Sequence, residues 1–221
     1  MSFSRIYDQA AARKGGEVAL RSLLPRVAEP GELQAMADDR YLSEITRCVF
    51  KAGFVWRVIE NKWPGFESAF QGFVPLYWQQ VPPEVLEDLA QDERIVRNMQ
   101  KIRTVPENAR MIVDAAREHG SFGAFLDCWP SDDQVGLLLW LKRNGARLGG
   151  NTAQYFLRQV GWDGFILSPD VVAGLRREEL LDATPGTRKA LVQAQQAFTA
   201  WHRETGLPFS HLSRILSFSV G

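Results

Sequence analysis

Very little in this chain advertises a chemistry. Its only two cysteines, Cys48 and Cys128, are far apart, which excludes both a disulfide framework and a paired-cysteine zinc spacing. The three histidines, His119, His202 and His211, have no ligand spacing either. Neither sign of charge is in excess, with 26 Lys and Arg against 26 Asp and Glu. A strongly basic chain would announce a polyanionic partner, so any nucleic-acid contact here must come from local patches. No apolar run approaches the roughly 18 residues of a membrane span. Arg5, Asp8, Arg13 and Lys14 interrupt the N-terminus where a signal peptide would carry its apolar stretch, which makes the cytoplasm the default location. Strand-like alternation, internal repeats and low-complexity segments are all missing.

What is present is apolar and helical. Apolar residues make up 45% of the 221, with seven Trp and thirteen Phe, enough for one large domain or two small ones. Three segments are expected: 1–36 as an N-terminal helical segment on the C-terminal helices, 37–186 as a helical core, and 187–221 as a final helix and tail. Phe3, Ile6, Tyr7 and Ala10 have helical spacing and stop at Gly15-Gly16. Residues 40–57 read as a strong helix, continuing apolar to Trp63-Pro64, with Phe66, Phe70 and Phe73 starting another short element. Pro83 opens a helix at its first turn. Residues 92–118 read as one long segment bent or split at Pro106, which places Arg94, Arg97 and Lys101 on one face. Ser121 caps a short helix ending before Pro130. Ser168-Pro169-Asp170 is a helix start, and 187–205 form a last amphipathic helix.

The stretch around residues 134–160 has the most specific pattern. Val135, Leu138, Leu139 and Leu141 form one helical stripe, stopped by Asn144-Gly145. Leu148-Gly149-Gly150 is a tight turn whose glycines can take angles closed to other residues. Asn151-Thr152 then opens a second helix with Ala153, Phe156, Leu157 and Val160 inward. Such a turn presents unpaired N–H groups at a helix N-terminus, a ready phosphate site. Lys142, Arg143, Arg147 and Arg158 add charge beside it, and Arg97 and Lys101 lie in a window without acids. A plain αα-hairpin used against another protein is the competing reading.

Three blocks together resemble the helix-hairpin-helix DNA glycosylases, most closely the type I 3-methyladenine DNA glycosylases. They are Ala52-Gly53-Phe54-Val55-Trp56 with Phe66 and Phe70; Ile95-Val96-Arg97, Lys101-Ile102 and Asn108-Ala109-Arg110; and Lys142-Arg143-Asn144-Gly145 through Gly150, Thr152, Phe156 and Gly161. They span roughly residues 38–175. The resemblance implies an all-α glycosylase-like fold with its helix-hairpin-helix at 134–160. It implies double-stranded DNA with alkylated bases as partner and hydrolysis of the N-glycosidic bond of purines such as 3-methyladenine. A monomer is the expected state, and a monovalent cation at the hairpin is possible on the same resemblance.

The departures are informative. Type I enzymes hold a structural zinc with Cys and His near both ends of the domain, but residues 1–36 contain neither, so no zinc and no cofactor is expected. Cys48 occupies the register of the family's pocket carboxylate. The wider superfamily places an Asp just after the hairpin, where Asp170 stands.

The chemistry such an enzyme needs then selects candidates. A flipped base must be stacked in a pocket, and an electron-rich Trp face favours a cationic one. Trp56 is the leading candidate, with Tyr41 and Phe54 behind it and Cys48 close by. A carboxylate near the sugar would stabilise an oxocarbenium-like state or orient water, and Asp170 is the first choice. Glu44, one helical turn before Cys48, is the second. Asp170 also fits a plain helix-start role and Cys48 that of an inert buried thiol. Loss of the family carboxylate favours an alternative, a catalytically inactive lesion sensor or scaffold of the same fold.

Overall fold

The computed structural model describes residues 2–220, which contain helices and no strand. The helices are α1 (Ser4–Lys14), α2 (Glu17–Ser22), α3 (Glu32–Ala35), α4 (Asp38–Lys51), α5 (Trp56–Ala69), α6 (Pro75–Trp78), α7 (Pro83–Leu89), α8 (Met99–Ile102), α9 (Thr104–His119), α10 (Phe122–Cys128), α11 (Gln134–Asn144), α12 (Asn151–Val160), α13 (Pro169–Arg177), α14 (Arg188–Thr205) and α15 (Phe209–Val220). They form two compact units, one of residues 1–28, 130–138 and 157–221, the other of 29–129 and 139–156. Among the described residues no helix is long and apolar enough to cross a membrane.

In the first unit α15 is the central element. The sequence suggests only a partly helical tail after Ser210. Phe209, Leu212, Ile215 and Leu216 nevertheless recur at helical spacing and are all buried, packing with Phe3, Ile6, Val171, Leu175, Phe198 and Trp201. A short helix with one such stripe is stable because neighbours cover it, not through its own propensity. Glu178, buried just past α13, is neutralised by Arg5 at 2.6 Å and Arg177 at 3.0 Å.

In the second unit an aromatic column runs from α5 into the turn that follows it. Trp63 stacks on Phe66 at 4.8 Å and on Phe73 at 5.7 Å, and Phe70 stacks on Phe73 at 5.0 Å. Such pairs contribute about 0.5–1.5 kcal/mol each beyond their buried area. Arg40 grips Glu67 through two bonds of 3.0 and 3.1 Å and gives a third, of 2.8 Å, to the Gly72 carbonyl. That contact supports a turn in which Gln71, Gly72 and Phe73 all have positive φ.

Four helix boundaries differ from the sequence reading. The apolar run 40–63 is not continuous: α4 ends at Lys51, Gly53 turns with φ +71°, and α5 restarts at Trp56. Pro64 does not end α5, which continues to Ala69. Residues 92–98 are not helical, because Asp92 accepts from the Arg94 N–H and Asn98 caps α8 by accepting from Lys101 N–H. Arg94, Arg97 and Lys101 therefore share no helical face. The chain splits at Arg103, three residues before Pro106, whose missing N–H falls harmlessly in the first turn of α9.

The turn between α11 and α12 is fastened by one side chain. Asn108 on α9 is wholly buried; its Oδ1 accepts from Ala146 N–H at 2.8 Å, and its Nδ2 donates to the Ala146 carbonyl at 3.2 Å. Gly145 is closely packed: a Cβ there would lie 2.6 Å from Leu148 and 2.9 Å from Met111, whose side chains would have to shift. Asn108→Ala should strand both backbone groups of Ala146 and cost about 1–3 kcal/mol each if buried. The expected result is a lowered denaturation midpoint with an unchanged m-value in urea titration. An unshifted midpoint would mean the turn is held elsewhere.

Candidate base pocket and phosphate-binding turn

The hairpin turn lies at the surface of its unit. Lys142 and Arg143 are exposed in the last turn of α11, and Gly150 and Asn151 are exposed at the start of α12. Leu148 is buried and pins the turn from below. Thr152, half-buried, donates its N–H to the Gly149 carbonyl at 3.3 Å. Positive φ falls on Gly150 (+57°) and on Arg147 (+58°), not on Gly149. Gly149 has ordinary φ, and a Cβ there would come no closer than 3.9 Å to Lys142. Its bareness serves no packing need within the protein and leaves the backbone open to a ligand. Arg147 donates to Gln100 at 2.8 Å, so α8 steadies the turn's most exposed cation.

The two basic residues expected beside the turn part company. Arg97 is more than half exposed, with Glu93 at 4.0 Å. Lys101 is not available to a phosphate: it is 6% exposed, and its Nζ donates to the Phe50 carbonyl at 2.9 Å and the Ala52 carbonyl at 2.7 Å. It caps the end of α4, where unpaired carbonyls and the helix dipole both favour a cation. Burial, then the charge of Arg147, pushes its pKa down.

The turn that Lys101 holds carries the aromatic candidates. Trp56 is 48% exposed, Phe54 43% and Val55 66%, a cluster of large apolar side chains facing solvent. Tyr155 of α12 meets Trp56 edge-on at 5.1 Å, and Lys51 Nζ lies 5.4 Å from the centre of the Trp56 ring. Lys51 is also ion-paired with Glu60.

Tyr41 does not join this cluster. It is wholly buried beside Phe122 and Phe156, and its hydroxyl donates to the Leu33 carbonyl at 2.7 Å. A Tyr with its polar tip already satisfied in the core has nothing to offer a base. Cys48 is buried too. Burial, helped by Glu44, pushes its thiol up to about 12, so it is neither thiolate nor nucleophile at neutral pH.

Glu44 and Asp170 are differently placed. Glu44 is largely buried, and its Oε1 meets Arg47 at 2.9 Å. Its Oε2 is buried without a hydrogen-bond partner among the described residues. Burial, opposed by Arg47 and Lys51, raises its pKa. Asp170, in the other unit, is exposed in the first turn of α13, with Ser217 Oγ at 3.4 Å from its Oδ2. That is the geometry of a helix-start carboxylate facing water.

Sequence reasoning passed over Lys51, Arg47, Glu60, Gln100 and Tyr155, and quoted Asn108 in a motif without giving it a role. Arg47 stands three residues after Glu44 and so on its face, which was a readable signal. Nothing local signals that Lys51 reaches Trp56, because a non-helical turn separates them. Among the described residues no three His, Cys, Asp or Glu side chains are grouped to hold a metal.

Glu67 bears on the site because it fixes α5 against α4. Burial opposes its ionisation, but hydrogen bonds from Arg40, Ser43 (2.5 Å) and Trp63 (3.1 Å) prevail and hold its carboxyl below the ordinary range. A depressed carboxyl stabilises the fold above its unfolded-state pKa, and that stability is lost as pH falls through the folded value. Glu67→Gln should therefore lower the melting temperature near neutrality and flatten its decline in acid. An identical decline in both proteins would remove Glu67 from the account.

The comparisons with known proteins follow the same lines. Residues 33–135 match the family model described as methyladenine glycosylase. A solved 3-methyladenine DNA glycosylase I is 22% identical, covers 66% of this chain and 87% of its own, and superposes with a TM-score of 0.51. The enzyme of that name from Staphylococcus aureus, solved for its recognition of 3-methyladenine, is 18% identical, with 70% and 90% covered and a TM-score of 0.53. The Methanocaldococcus jannaschii 8-oxoguanine glycosylase/lyase, solved with a 15mer DNA containing 8-oxoguanine, is 18% identical, covers 97% of this chain and 96% of its own, and gives 0.57.

Proposed function

We propose that this chain, which has the helix-hairpin-helix DNA glycosylase fold and carries the methyladenine glycosylase pattern over residues 33–135, is a base-excision DNA glycosylase. Its substrate is double-stranded DNA containing a damaged purine, of the alkylated class to which 3-methyladenine belongs. The observation that carries this reading is Trp56, half-exposed on the turn after α4 and flanked by Phe54 and Val55. A soluble chain leaves such a cluster bare only where a flat or apolar partner covers it.

In this reading the turn at Arg147–Thr152 takes a DNA phosphate on its backbone N–H groups, with Lys142 and Arg143 adding charge. Arg97 contributes from α8's approach, and Lys101 acts indirectly by holding the pocket turn. The extruded purine stacks on Trp56. Water hydrolyses the glycosidic bond: the C1′–N bond breaks with its electron pair going to the purine, the water oxygen bonds to C1′, and the proton balance closes through a carboxyl group. Glu44 is the preferred carboxyl, because it is buried, belongs to the same unit as Trp56 and has one oxygen unengaged. Asp170 is the second. A monomer without structural zinc suffices. The carbonyls of Ala146 and Gly149 each accept one hydrogen bond, leaving a lone pair apiece for a monovalent cation.

The neutral thiol of Cys48 favours one second reading, a binder of the same fold that recognises lesions without excising them. Release of free base from methylated duplex DNA separates the two. In the catalytic case, Trp56→Ala should weaken binding to a lesion duplex by about 1–3 kcal/mol, the usual contribution of one stacked base. Glu44→Gln should slow single-turnover excision by about 10²-fold or more while binding holds. If Asp170→Asn slows excision and Glu44→Gln does not, the carboxylate role passes to Asp170.

A further inference from the structure

The half-exposed indole of Trp56 meets a ring that belongs to the hairpin. Tyr155 of α12 lies 5.1 Å from it, centre to centre, with the two ring planes at 89°. That is the edge-to-face arrangement, in which the positive edge of one ring meets the negative face of the other. The Tyr155 hydroxyl has no hydrogen-bond partner among the described residues, so the ring is what this side chain contributes. Tyr155 stands one turn into α12 from the glycine turn. Gln154 beside it donates to the Gly150 carbonyl and to the Asn151 side chain, both at 3.2 Å. Phe156 on its other side is wholly buried against Tyr41 and Phe122. The turn, the start of α12 and the Tyr155 ring are therefore fastened to one another.

Trp56 opens α5 behind the exposed Val55, so little of the fold restrains it. A half-exposed indole has several staggered rotamers open to it, and each aims its faces in a different direction. A base can stack only on a face turned toward it. A ring contact that sets the indole plane before DNA arrives removes an ordering cost that binding would otherwise bear. Lys51 approaches the same ring from α4, but only Tyr155 refers the ring to the hairpin. Asn151 and Tyr155 are four residues apart, about 6 Å of helix, so the phosphate-binding turn and the ring contact are close neighbours.

We propose that Tyr155 is a positioning residue whose ring aims Trp56, so that a purine extruded from a strand gripped at the Arg147–Thr152 turn meets the indole face on. The inference rests on the reading of Trp56 as the base-stacking residue and adds the residue that aligns it with the phosphate contact.

The test separates what the base contributes to binding from what the backbone contributes. The full-length protein is titrated with two duplexes of one sequence. One carries a 2′-fluoroarabino 7-methylguanine that resists hydrolysis, the other a tetrahydrofuran abasic analogue at the same place, and the ratio of the two affinities reads the stacking. Tyr155→Ala should lower that ratio about two- to tenfold, the range of one aromatic pair, while affinity for the abasic duplex holds. Tyr155→Phe should keep the wild-type ratio. Tyr155→Leu, bulky but without a ring edge, should behave as the Ala variant does and replaces it if that variant does not fold. Trp56→Ala should lower the ratio at least as far, and adding Tyr155→Ala to it should change nothing more, because the two residues act as one unit. A ratio unmoved by Tyr155→Ala and Tyr155→Leu, a Phe variant as impaired as the Ala variant, or a fall in abasic affinity as large as the fall in lesion affinity overturns the inference and leaves the glycosylase reading standing. A ratio that Trp56→Ala leaves unmoved overturns the reading of Trp56, and the inference with it.

Discussion

The ammonium of Lys101 beneath the end of α4 is the contact on which the exposed end of the second unit depends. A helix that stops at the surface leaves its last carbonyls to water, and the chain beyond is free to fray. Here the Phe50 and Ala52 carbonyls both accept from one buried lysine, so residues 52–55 leave the helix in a fixed direction. That direction puts Phe54 and Trp56 outward, although apolar residues of this size would otherwise be drawn into the core. The adjacent residue, Gln100, holds Arg147 of the hairpin turn, and Asn108 in the next helix holds Ala146. One short helix and the first turns of another thus fix the aromatic turn and the glycine turn together within a single unit.

Electrostatics around this end are arranged by pairing, not by net charge. Glu44 meets Arg47, Lys51 meets Glu60, and Arg40 meets Glu67. Each acid sits within reach of a base on the α4–α5 scaffold, which is why a chain of zero formal charge can still present an array of cations over its aromatic rings. Partly buried pairs of this kind add little net stability, but removal of one partner is costly because it leaves the other charge uncompensated. The arrangement favours a fixed local field over attraction at long range, so sequence-wide charge counts are a poor guide to the charge around these rings.

The sequence disclosed the fold through its punctuation. Gly145, Asn151, Pro169 with Ser168, and Thr187 mark helix boundaries where they stand, because each acts on the backbone within a few residues. The hairpin was readable for the same reason. The run from Tyr41 to Trp63 was not, because its apolar spacing satisfies a helix throughout while Gly53 quietly reverses the chain. Residues 92–98 misled in the opposite way: basic spacing suggested a face, but Asp92 and Asn98 spend their side chains on local backbone. A motif singled out Trp56, which stands at the surface, and Tyr41, which is wholly buried, because a core ring and an exposed ring have the same spacing. Lys51 and Asn108 act through space, and no spacing rule carries that.

Cys48 and Glu44 stand one turn apart on α4, and their surroundings differ. A helical turn is about 5.4 Å, so the two side chains share a face but not a neighbourhood. At the position of Cys48 a charged group would be almost fully desolvated, and the thiol stays protonated there. At Glu44 burial is less complete, and Arg47 and Lys51 offset part of it, so its pKa is raised but against two opposing charges. One helix face thus carries two groups that burial affects alike in direction: both are held above their ordinary ranges, and at Glu44 two cations temper the effect.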